Sequence, residues 1–517
     1  MGESRHHLFR QFSAGEWTGF RKGVEKEGLR VDQQGVIAQT PHPVALGSAL
    51  THPRITTDYS EALLELITPV CDNTQVMLAS LRDIHRFVQM NLGDELFWPA
   101  SMPCRLNGDA SIPIAEYGSA NIGRLKHVYR QGLAVRYGRM MQSIAGVHYN
   151  LSLPDEFWHL WHERLRSQQS LQDFKSDQYF WMIRNFRRRS WLLMLLFGAS
   201  PALDASFVEG VSHPLSRFSN DTWYGPNATS LRMGDLGYHN NAQSSVNICF
   251  NELDTYTRTL ARAIHTPWPE YEAIGTRRGD KFIQINTNVL QIENEYYSAI
   301  RPKRTTERGE KPLQALESRG LEYIEVRCLD LDPFSPEGIN ESQVDFLDVF
   351  LLDCLLSDSP RIEDAECDRL DDNYQDVVSQ GRDPGLTLCQ KRERVSVGVA
   401  ASALIDRLQP LAEQLDGWAG TDTYCSALQA QRHKLADPLL VPSGRVLADM
   451  NAKGVGHREW GLEMARQHRQ TLRGEGLSGQ DLAAFERMSA DSLSEQAAIE
   501  AADKQSFPEF LEHYLQA

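Results

Sequence analysis

The chain has 517 residues, and its 53 Lys and Arg against 69 Asp and Glu give a formal net charge of −16. Because 41% of the residues are hydrophobic, the chain can bury a large core, which excludes a mainly disordered protein. The net acidity argues against sequence-independent nucleic-acid binding, which needs clustered positive charge.

The first thirty residues contain no apolar run after a basic start, so no secretory signal is predicted. Residues 191–204 imitate a membrane anchor, but Pro201 interrupts the apolar run well short of the ~18–20 residues that a span needs. We interpret this segment as a buried helix. The eight scattered cysteines include no Cys-x-x-Cys pair and are typical of a reduced, cytoplasmic protein. We expect neither nucleic-acid nor membrane contact.

The pattern along the chain predicts one α+β domain over residues 1–517. Short β-rich runs alternate with helical segments between about residues 20 and 340, whereas residues 341–517 are mainly helical. Residues 100–121 are rich in Gly, Pro and Ser, which predicts a long surface loop. No segment resembles a linker between independent domains.

Several predicted strands carry chemistry on one face, because residues two apart on a strand point the same way. Residues 23–29 place Glu25 beside Glu27, and like charges so close repel each other. Residues 55–67 put Asp58 at a turn and place Glu61 and Glu65 on a common face. Glu65 stands among leucines, an odd place for a carboxylate without a partner.

Three further segments show the same alternation. The side chains predicted to share the polar face are Gln142, Gly146, His148, Asn150 and Ser152 in residues 142–152, Gln284, Asn286 and Asn288 in residues 282–289, and Glu325 and Arg327 in residues 323–327.

These polar faces have two interpretations. A half-exposed antiparallel sheet with a hydrated face would explain any single segment. Taken together, several carboxylates with one histidine and one arginine favour a site. Oxygen-rich clusters with a single imidazole suit Mg²⁺ or Mn²⁺ better than zinc, and such ions usually hold nucleotide phosphates.

Residues 124–139 are basic, and most of these charges are explained by an ordinary amphipathic helix. Arg130, beside Tyr129, is the best candidate for binding a substrate carboxylate, since arginine matches that geometry bidentately. The sequence contains no Walker loop, no Gly-x-Gly-x-x-Gly after a strand and no Gly-x-Ser-x-Gly elbow. P-loop, Rossmann and serine-hydrolase interpretations therefore lack support.

Six long segments of the chain carry a resemblance to a known family. The segments are GVEKEGLRV at 23–31, ITTDYSEALLELITP at 55–69, YGSANIGRLKHVYRQGLAVRYG at 117–138, QSIAGVHYNLSLP at 142–154, QINTNVLQIENEYYSAIRPKR at 284–304 and YIEVRCLDLDPFSPEGI at 323–339. They resemble the stand-alone glutamate–cysteine ligases of the gammaproteobacterial type. The matches occur in order between about residues 10 and 340, and the length is that expected of the stand-alone enzyme without the C-terminal ATP-grasp domain of bifunctional relatives.

The resemblance implies a glutamine-synthetase-like antiparallel sheet that forms a funnel-shaped active site, with a helical C-terminal third. It also implies a monomer and the following roles. The magnesium ligands would be Glu25, Glu27, Asp58, Glu65, His148 and Glu325; the ATP phosphates would contact Asn150 and Arg327; and the cysteine substrate would meet Tyr59, Tyr129, Arg130, Leu133, Gln142, Tyr238, Tyr297 and, more weakly, Arg232.

The implied reaction joins the γ-carboxylate of L-glutamate to the amine of L-cysteine with ATP, through a γ-glutamyl phosphate, as the first step of glutathione biosynthesis. Arg327 would stabilise the transferring phosphoryl group, and Asp58 would accept the amine proton. Three alternatives stay open at this point: a ligase of the same fold with another amine, a magnesium-dependent phosphohydrolase, and a nucleotide-sensing protein with a relic site.

Overall fold

The computed structural model describes residues 4–236, 248–307, 309–391 and 393–516. Within these ranges the chain forms an α+β fold whose strands concentrate before residue 330 and whose later part is mainly helical. The strands are β1 Arg21–Val31, β2 Ile55–Thr57, β3 Leu63–Ile67, β4 Leu96–Phe97, β5 Val147–Ser152, β6 Ala202–Asp204, β7 Ser216–Ser219, β8 Thr222–Tyr224, β9 Arg277–Arg278, β10 Lys281–Phe282, β11 Ile300–Lys303, β12 Tyr323–Leu329, β13 Thr387–Gln390 and β14 Glu393–Ser396. The helices are α1 Arg5–Arg10, α2 Thr74–Asn91, α3 Asn121–Tyr137, α4 Asp155–Arg164, α5 Leu171–Arg189, α6 Trp191–Phe197, α7 Leu253–His265, α8 Pro269–Ile274, α9 Pro312–Arg319, α10 Glu341–Leu356, α11 Asp364–Gln380, α12 Val397–Ala419, α13 Thr423–Ala436, α14 Pro442–Lys453, α15 His457–Glu475, α16 Gly479–Ala502 and α17 Phe507–Gln516.

The main sheet runs in the order β11-β12-β5-β1-β3-β2, with β4 paired to the end of β1, and every pairing is antiparallel. Its central strand, β1, is almost entirely buried because it pairs on both sides. The register sets Glu25 opposite His148 and Glu27 opposite Glu65. Side chains on directly opposed residues share a face, so the predicted polar face is real on these strands.

Helices cover the other face of the sheet, where the strands present apolar residues such as Val24, Leu66 and Val147. The central helix of this layer is α10, which begins with an Asn340 cap and is buried along nearly its whole length. Its Asp348 accepts hydrogen bonds from Lys22 of β1 and Tyr149 of β5. This polar contact ties the helical layer to the two strands that carry the acidic face.

The predicted helical C-terminal part is confirmed, with one small hairpin, β13–β14, inside it. The apolar segment after residue 190 forms the short helix α6, in which all seven residues are buried, as predicted. Among the described residues no helix is both long and apolar enough to cross a bilayer.

Three sequence-based predictions about secondary structure are wrong; two concern loops, and the third, a strand over residues 142–146, is described with the site below. Residues 283–289 form an irregular loop instead of a strand, because their amides bond to the backbone: Gln284 donates to the Gly275 carbonyl (2.8 Å) and Asn286 to the Gln291 carbonyl (2.9 Å). Residues 100–121 do form an irregular connection, but much of it is buried, including Met102 and Cys104. The segment is therefore a surface loop only in part, as at residues 107–110, and its other residues contribute to the core.

Candidate active site

Four strands of the main sheet bring an acidic cluster together on one face. We call Glu25, Glu27, Glu65, His148 and Glu325 the acidic floor; they come from β1, β3, β5 and β12. His148 lies at the centre. Its Nδ1 is 3.4 Å from Glu25 Oε2 and 3.7 Å from Glu325 Oε1, and its Nε2 is 3.5 Å from Glu27 Oε1.

The floor concentrates negative charge away from water. Burial raises the pKa of Glu65 well above its ordinary value, and the charges of Glu25 and Asp58 raise it further. Burial likewise raises the pKa of Glu27, although the charge of His148 opposes this. Carboxylates held this close repel one another unless a cation lies among them.

Cations at one side of the floor lower the pKa of Glu325, whereas burial raises the pKa of Glu27 and Glu65. Burial would raise the pKa of Glu325, but the charges of Lys303 and Arg327 outweigh it and lower the pKa far below its ordinary value. Lys303 Nζ is 3.4 Å from one carboxylate oxygen and Arg327 Nη1 is 3.7 Å from the other. The floor therefore has an anionic centre and a cationic edge.

The donor set of the floor fits a hard divalent cation. Glu25, Glu65 and His148 each offer one ligand atom, and these atoms lie within 4.8 Å of one another. Two further oxygens, Glu325 Oε2 and Asn150 Oδ1, are buried and accept no hydrogen bond within the described part of the chain. Oxygen-rich donors with one imidazole are the set that Mg²⁺ and Mn²⁺ accept.

An inner pocket of about 120 Å³ lies beside the floor and gathers most of the predicted substrate residues. The predicted residues on its wall are Glu27, Asp58, Tyr59, Tyr129, Arg130, Leu133, Gln142, Tyr297 and Arg327. Although residues 142–146 do not belong to β5, as the alternation had predicted, the short 3₁₀ turn Met141–Ser143 still places Gln142 on this wall.

Helix α3 carries Tyr129, Arg130 and Leu133 to the inner pocket. Arg130 does not lie freely in the pocket: its Nε donates to the Asp58 carbonyl, its Nη1 donates to the Lys126 carbonyl (3.0 Å), and its guanidinium lies 4.7 Å from the ring centre of Tyr117. These contacts join α3 to the turn after β2 and fix the direction of the arginine.

A much larger outer chamber, about 1280 Å³, opens from the floor. Glu25, Glu65, His148 and Glu325 line its base. The outer chamber and the inner pocket share wall residues, so the two adjoin; the shared residues are Asp58, Tyr129, Arg130, Asn294, Arg301 and Arg327. This arrangement offers space for a large ligand above the acidic floor and a small one beside it.

Some predicted site residues are placed differently. Glu61 leaves the face of Glu65, and its carboxylate accepts the backbone N–H groups of His42 and Glu116, both at 2.8 Å. Asn150 donates to Glu25 Oε1 (2.9 Å), so it lies at the floor. Tyr238 lies outside the described residues.

Arg232, the weaker candidate for a substrate carboxylate, lies beneath the floor. It is fully buried, and its guanidinium donates to the carbonyls of Arg327 (2.9 Å) and Leu329 (3.2 Å). Gly146 makes room for it, because a Cβ there would lie 2.0 Å from Arg232 Nη2. A substrate contact by this arginine stays a prediction, and it would require the side chain to be uncovered.

Arg301 and Lys303 of β11 were missed by sequence reasoning. Both line the outer chamber, and Arg301 also reaches the inner pocket. The signal was present, because residues two apart on a strand share a face and β11 pairs directly with the strand of Glu325. The helical C-terminal part was also missed, since Glu495, Ile499 and Asp503 line the chamber.

Comparisons with known proteins show the family of this chain. The family model for glutamate-cysteine ligase matches residues 6–377. The chain belongs to the glutamate–cysteine ligase family. A glutamate–cysteine ligase from Hahella chejuensis is 55% identical over 499 residues (96% of this chain, 95% of the relative), and one from Azotobacter vinelandii is 52% identical over 495 residues (95% and 93%).

Solved structures confirm the α+β fold. The crystal structure of a glutamate–cysteine ligase from Francisella tularensis in complex with AMP matches with a TM-score of 0.90 at 35% identity, covering 96% of this chain and 98% of that one. A bifunctional glutathione synthetase from Pasteurella multocida matches with a TM-score of 0.75 at 25% identity, covering 94% of this chain and 58% of that one.

Membership of the glutamate–cysteine ligase family confirms the predicted class of enzyme, an ATP-dependent carbon–nitrogen ligase. It also confirms the predicted function, the ATP-dependent formation of γ-glutamylcysteine as the first step of glutathione biosynthesis, over the phosphohydrolase and nucleotide-sensor alternatives. The roles of the individual site residues stay predictions, which the geometry of the floor and the two cavities supports to different degrees.

Proposed function

We propose that this ligase forms γ-glutamylcysteine at the boundary between the outer chamber and the inner pocket, with ATP and Mg²⁺ above the acidic floor. The convergence of the floor with a tyrosine- and arginine-lined pocket is the observation that carries this proposal. Mn²⁺ is a plausible substitute, because both ions accept the same oxygen donors.

The reaction needs an activated carboxyl group, because a carboxylate oxygen is a poor leaving group. An oxygen of the glutamate γ-carboxylate attacks the γ-phosphorus of ATP, and the bond to ADP breaks. The cysteine amine then attacks the γ-carbonyl carbon, the C–N bond forms, and phosphate leaves with that carboxylate oxygen. The amine loses one proton in this second step.

The protein supplies position and charge. Glu25, Glu27, Glu65, His148 and Glu325, with Asp58 at the rim, would hold the metal, which when bound neutralises phosphate charge and acts as a Lewis acid. Arg327 faces the floor and lines both cavities, so it is placed to stabilise charge on the transferring phosphoryl group. Asn150 is a further phosphate contact, through its carboxamide at the floor.

The inner pocket is the proposed place of the cysteine. The pocket, whose wall includes four tyrosines, has about the volume of an amino acid, and a bound amino acid there would shield an acyl phosphate from water. Tyr59, Tyr129, Leu133, Gln142 and Tyr297 would surround the side chain. Arg130 would contact the carboxylate.

Asp58 is the proposed acceptor of the amine proton. Its carbonyl binds Arg130, and the residue lines both cavities at their boundary. A base must lie within hydrogen-bond reach of the proton that it accepts, and the boundary is where the amine would meet the activated carboxyl group.

We also propose that the chain acts as a single-domain, cytoplasmic monomer. One hydrophobic cluster joins residues from Phe9 to Phe485, which supports one domain. The net charge of −16 supports the absence of a nucleic-acid partner.

Incubation with ATP, Mg²⁺, glutamate and a panel of amines tests the proposal. Mass spectrometry should detect γ-glutamylcysteine with cysteine and little product with alanine, serine or glycine. Glutamate labelled with ¹⁸O in the γ-carboxyl group should transfer one ¹⁸O atom to phosphate. Phosphate release without either amino acid, or unlabelled phosphate, would contradict the proposed route.

A further inference from the structure

The C-terminal helices α16 and α17 form a wall of the outer chamber. The residues that they and the segment between them contribute are Glu495, Ile499, Ala502, Asp503, Gln505, Phe510, His513 and Tyr514. This region lies beyond residue 377, where the match to the family model ends. None of the predicted site residues lies in it.

One face of α16 forms hydrogen bonds to the segment before β2 and to the loop before α3. Ser492 accepts the Ser48 N–H (3.0 Å), and its carbonyl accepts the Thr51 hydroxyl (2.6 Å). Glu500 accepts the Ser119 N–H at 2.8 Å. The approach is close, because a Cβ on Gly118, whose φ is +78°, would lie 2.1 Å from a side-chain atom of Gln496.

The last contact of this face holds the start of α3. Asp503 Oδ2 accepts the backbone N–H of Asn121 (2.5 Å), and its Oδ1 accepts the Asn121 carboxamide (2.9 Å). Asn121 is the first residue of α3 and is 4% exposed, so its side of this bidentate contact is buried, whereas Asp503 is half-buried at the chamber wall. Phe507 and Leu511 of α17 pack against Leu125 and Val128 of α3.

Besides Asp503 and the packing on Phe507 and Leu511, this end of α3 is held by the Gln505 carbonyl, which accepts the Asn121 carboxamide (3.0 Å), but it has no cap of its own. Its N-cap is Ala120, which makes no side-chain capping bond. The Asp503 carboxylate instead accepts a first-turn N–H, as the side chain of a Ser, Thr, Asp or Asn N-cap usually does. Two helical turns further on, the same helix presents Tyr129 and Arg130 to the inner pocket. A shift of the first turn would therefore move both side chains.

We propose that Asp503 is a positioning residue of the ligase: by clamping the first turn of α3 to the C-terminal helices, it sets Tyr129 and Arg130 for the amino-acid acceptor. This inference rests on the proposed function, in which these two residues bind cysteine. It makes the C-terminal helices part of the active site.

The test compares three full-length variants in steady-state kinetics. Asp503→Ala should raise the KM for cysteine about tenfold, because a displacement of about 1 Å in a binding group has effects of this size or larger. The KM values for ATP and glutamate should change less than about twofold. Asp503→Asn keeps one acceptor oxygen and should be intermediate, and Asp491→Ala, an exposed aspartate on α16, is the matched control.

A double-mutant cycle separates positioning from general loosening. Asn121→Ala removes the carboxamide contact but keeps the backbone N–H bond to Asp503, so it should raise the KM for cysteine less than Asp503→Ala does, and the double variant should be no worse than Asp503→Ala alone. Additive effects, an unchanged KM for cysteine, or an equal rise in the KM for ATP would each overturn the proposal.

Hydrogen exchange tests the clamp independently of the substrate assignment. Asp503→Ala should speed amide exchange in residues 121–130, and Asp491→Ala should not. Unchanged exchange in that segment would overturn the clamp. Faster exchange in an enzyme that forms no product with cysteine would uphold the clamp and contradict the proposed function instead.

Discussion

Replacing Glu27 by glutamine tests whether the acidic floor binds a metal ion, because the substitution removes one negative charge at almost constant side-chain volume. Glu27 is 4% exposed; its Oε2 accepts the Gly146 N–H at 2.7 Å, and its Oε1 lies 3.5 Å from His148 Nε2. The amide oxygen of glutamine can still accept the Gly146 N–H. The variant therefore removes a proposed metal ligand and leaves the local backbone contact intact.

The expected effects on metal binding and on stability have opposite signs. Loss of even an outer contact of a metal site typically costs about 10- to 100-fold in affinity, so the Mg²⁺ concentration for half-maximal activity should rise at least about tenfold. The free energy of unfolding of the metal-free protein should not fall, because burial and nearby negative charge make the ionised Glu27 unfavourable and raise its pKa.

The assay is ADP release at fixed ATP over a Mg²⁺ titration, beside urea unfolding in EDTA. Glu61→Gln is the matched control, since Glu61 is also a buried glutamate, but its carboxylate accepts two backbone N–H groups and lines neither cavity. It should keep the Mg²⁺ dependence and lose about 1–3 kcal/mol of stability, because one N–H loses its acceptor. A Glu27→Gln variant with unchanged activity and unchanged Mg²⁺ dependence would refute the proposed floor.

Two further variants test other parts of the structure. Burial first, and then the charge of Asp348, raises the pKa of Asp345 to about 7, against about 3.9 in an unfolded chain. Between these values the folded state holds a proton that the unfolded state has lost, so the free energy of unfolding should fall as the pH rises from about 4 to about 7, by up to about 1.4 kcal/mol per unit. Asp345→Asn should flatten this dependence in urea unfolding at pH 5 and pH 8, and an unchanged slope would contradict the assignment. Tyr59→Phe removes a buried hydroxyl that has no hydrogen-bond partner among the described residues. The variant should keep its melting temperature and should have a KM for cysteine raised about fivefold, because one hydrogen bond contributes about 1 kcal/mol. An unchanged KM for cysteine would remove Tyr59 from the substrate wall.

The acidic floor could be predicted from the sequence because it depends on the simplest periodicity of a strand. Glu25 and Glu27 on β1, and His148 and Asn150 on β5, point to one face because each pair is two residues apart, and the antiparallel register then brings the pairs together. The order of the strands, with β5 between β1 and β12, does not follow from alternation. The family resemblance implied a single antiparallel sheet but gave no order of its strands.

Strand alternation gave wrong predictions where polar side chains form hydrogen bonds to backbone groups. Asn288 binds the Ile264 carbonyl and Asn286 the Gln291 carbonyl, so these amides build a loop that looks like a strand in the sequence. Glu61 was misplaced for the same reason, since a carboxylate at the predicted position instead satisfies two N–H groups. Periodicity cannot distinguish a side chain that faces a ligand from one that bonds to a distant carbonyl or amide.

The outer wall was beyond sequence reasoning for a different reason. Asp503 contacts Asn121 across 382 positions of the chain, and nothing in the surroundings of either residue predicts the other. An aspartate at the end of an ordinary amphipathic helix is usually solvated. The contact becomes visible only when the C-terminal helices are seen to close the chamber.

The central claim is that the acidic floor binds divalent ions. Anomalous diffraction from crystals grown with Mn²⁺ and an ATP analogue measures this directly. The structure predicts manganese peaks bounded by Glu25, Glu65, His148 and Glu325. Full occupancy of Mn²⁺ elsewhere in the molecule, with no peak between these side chains, would contradict the account.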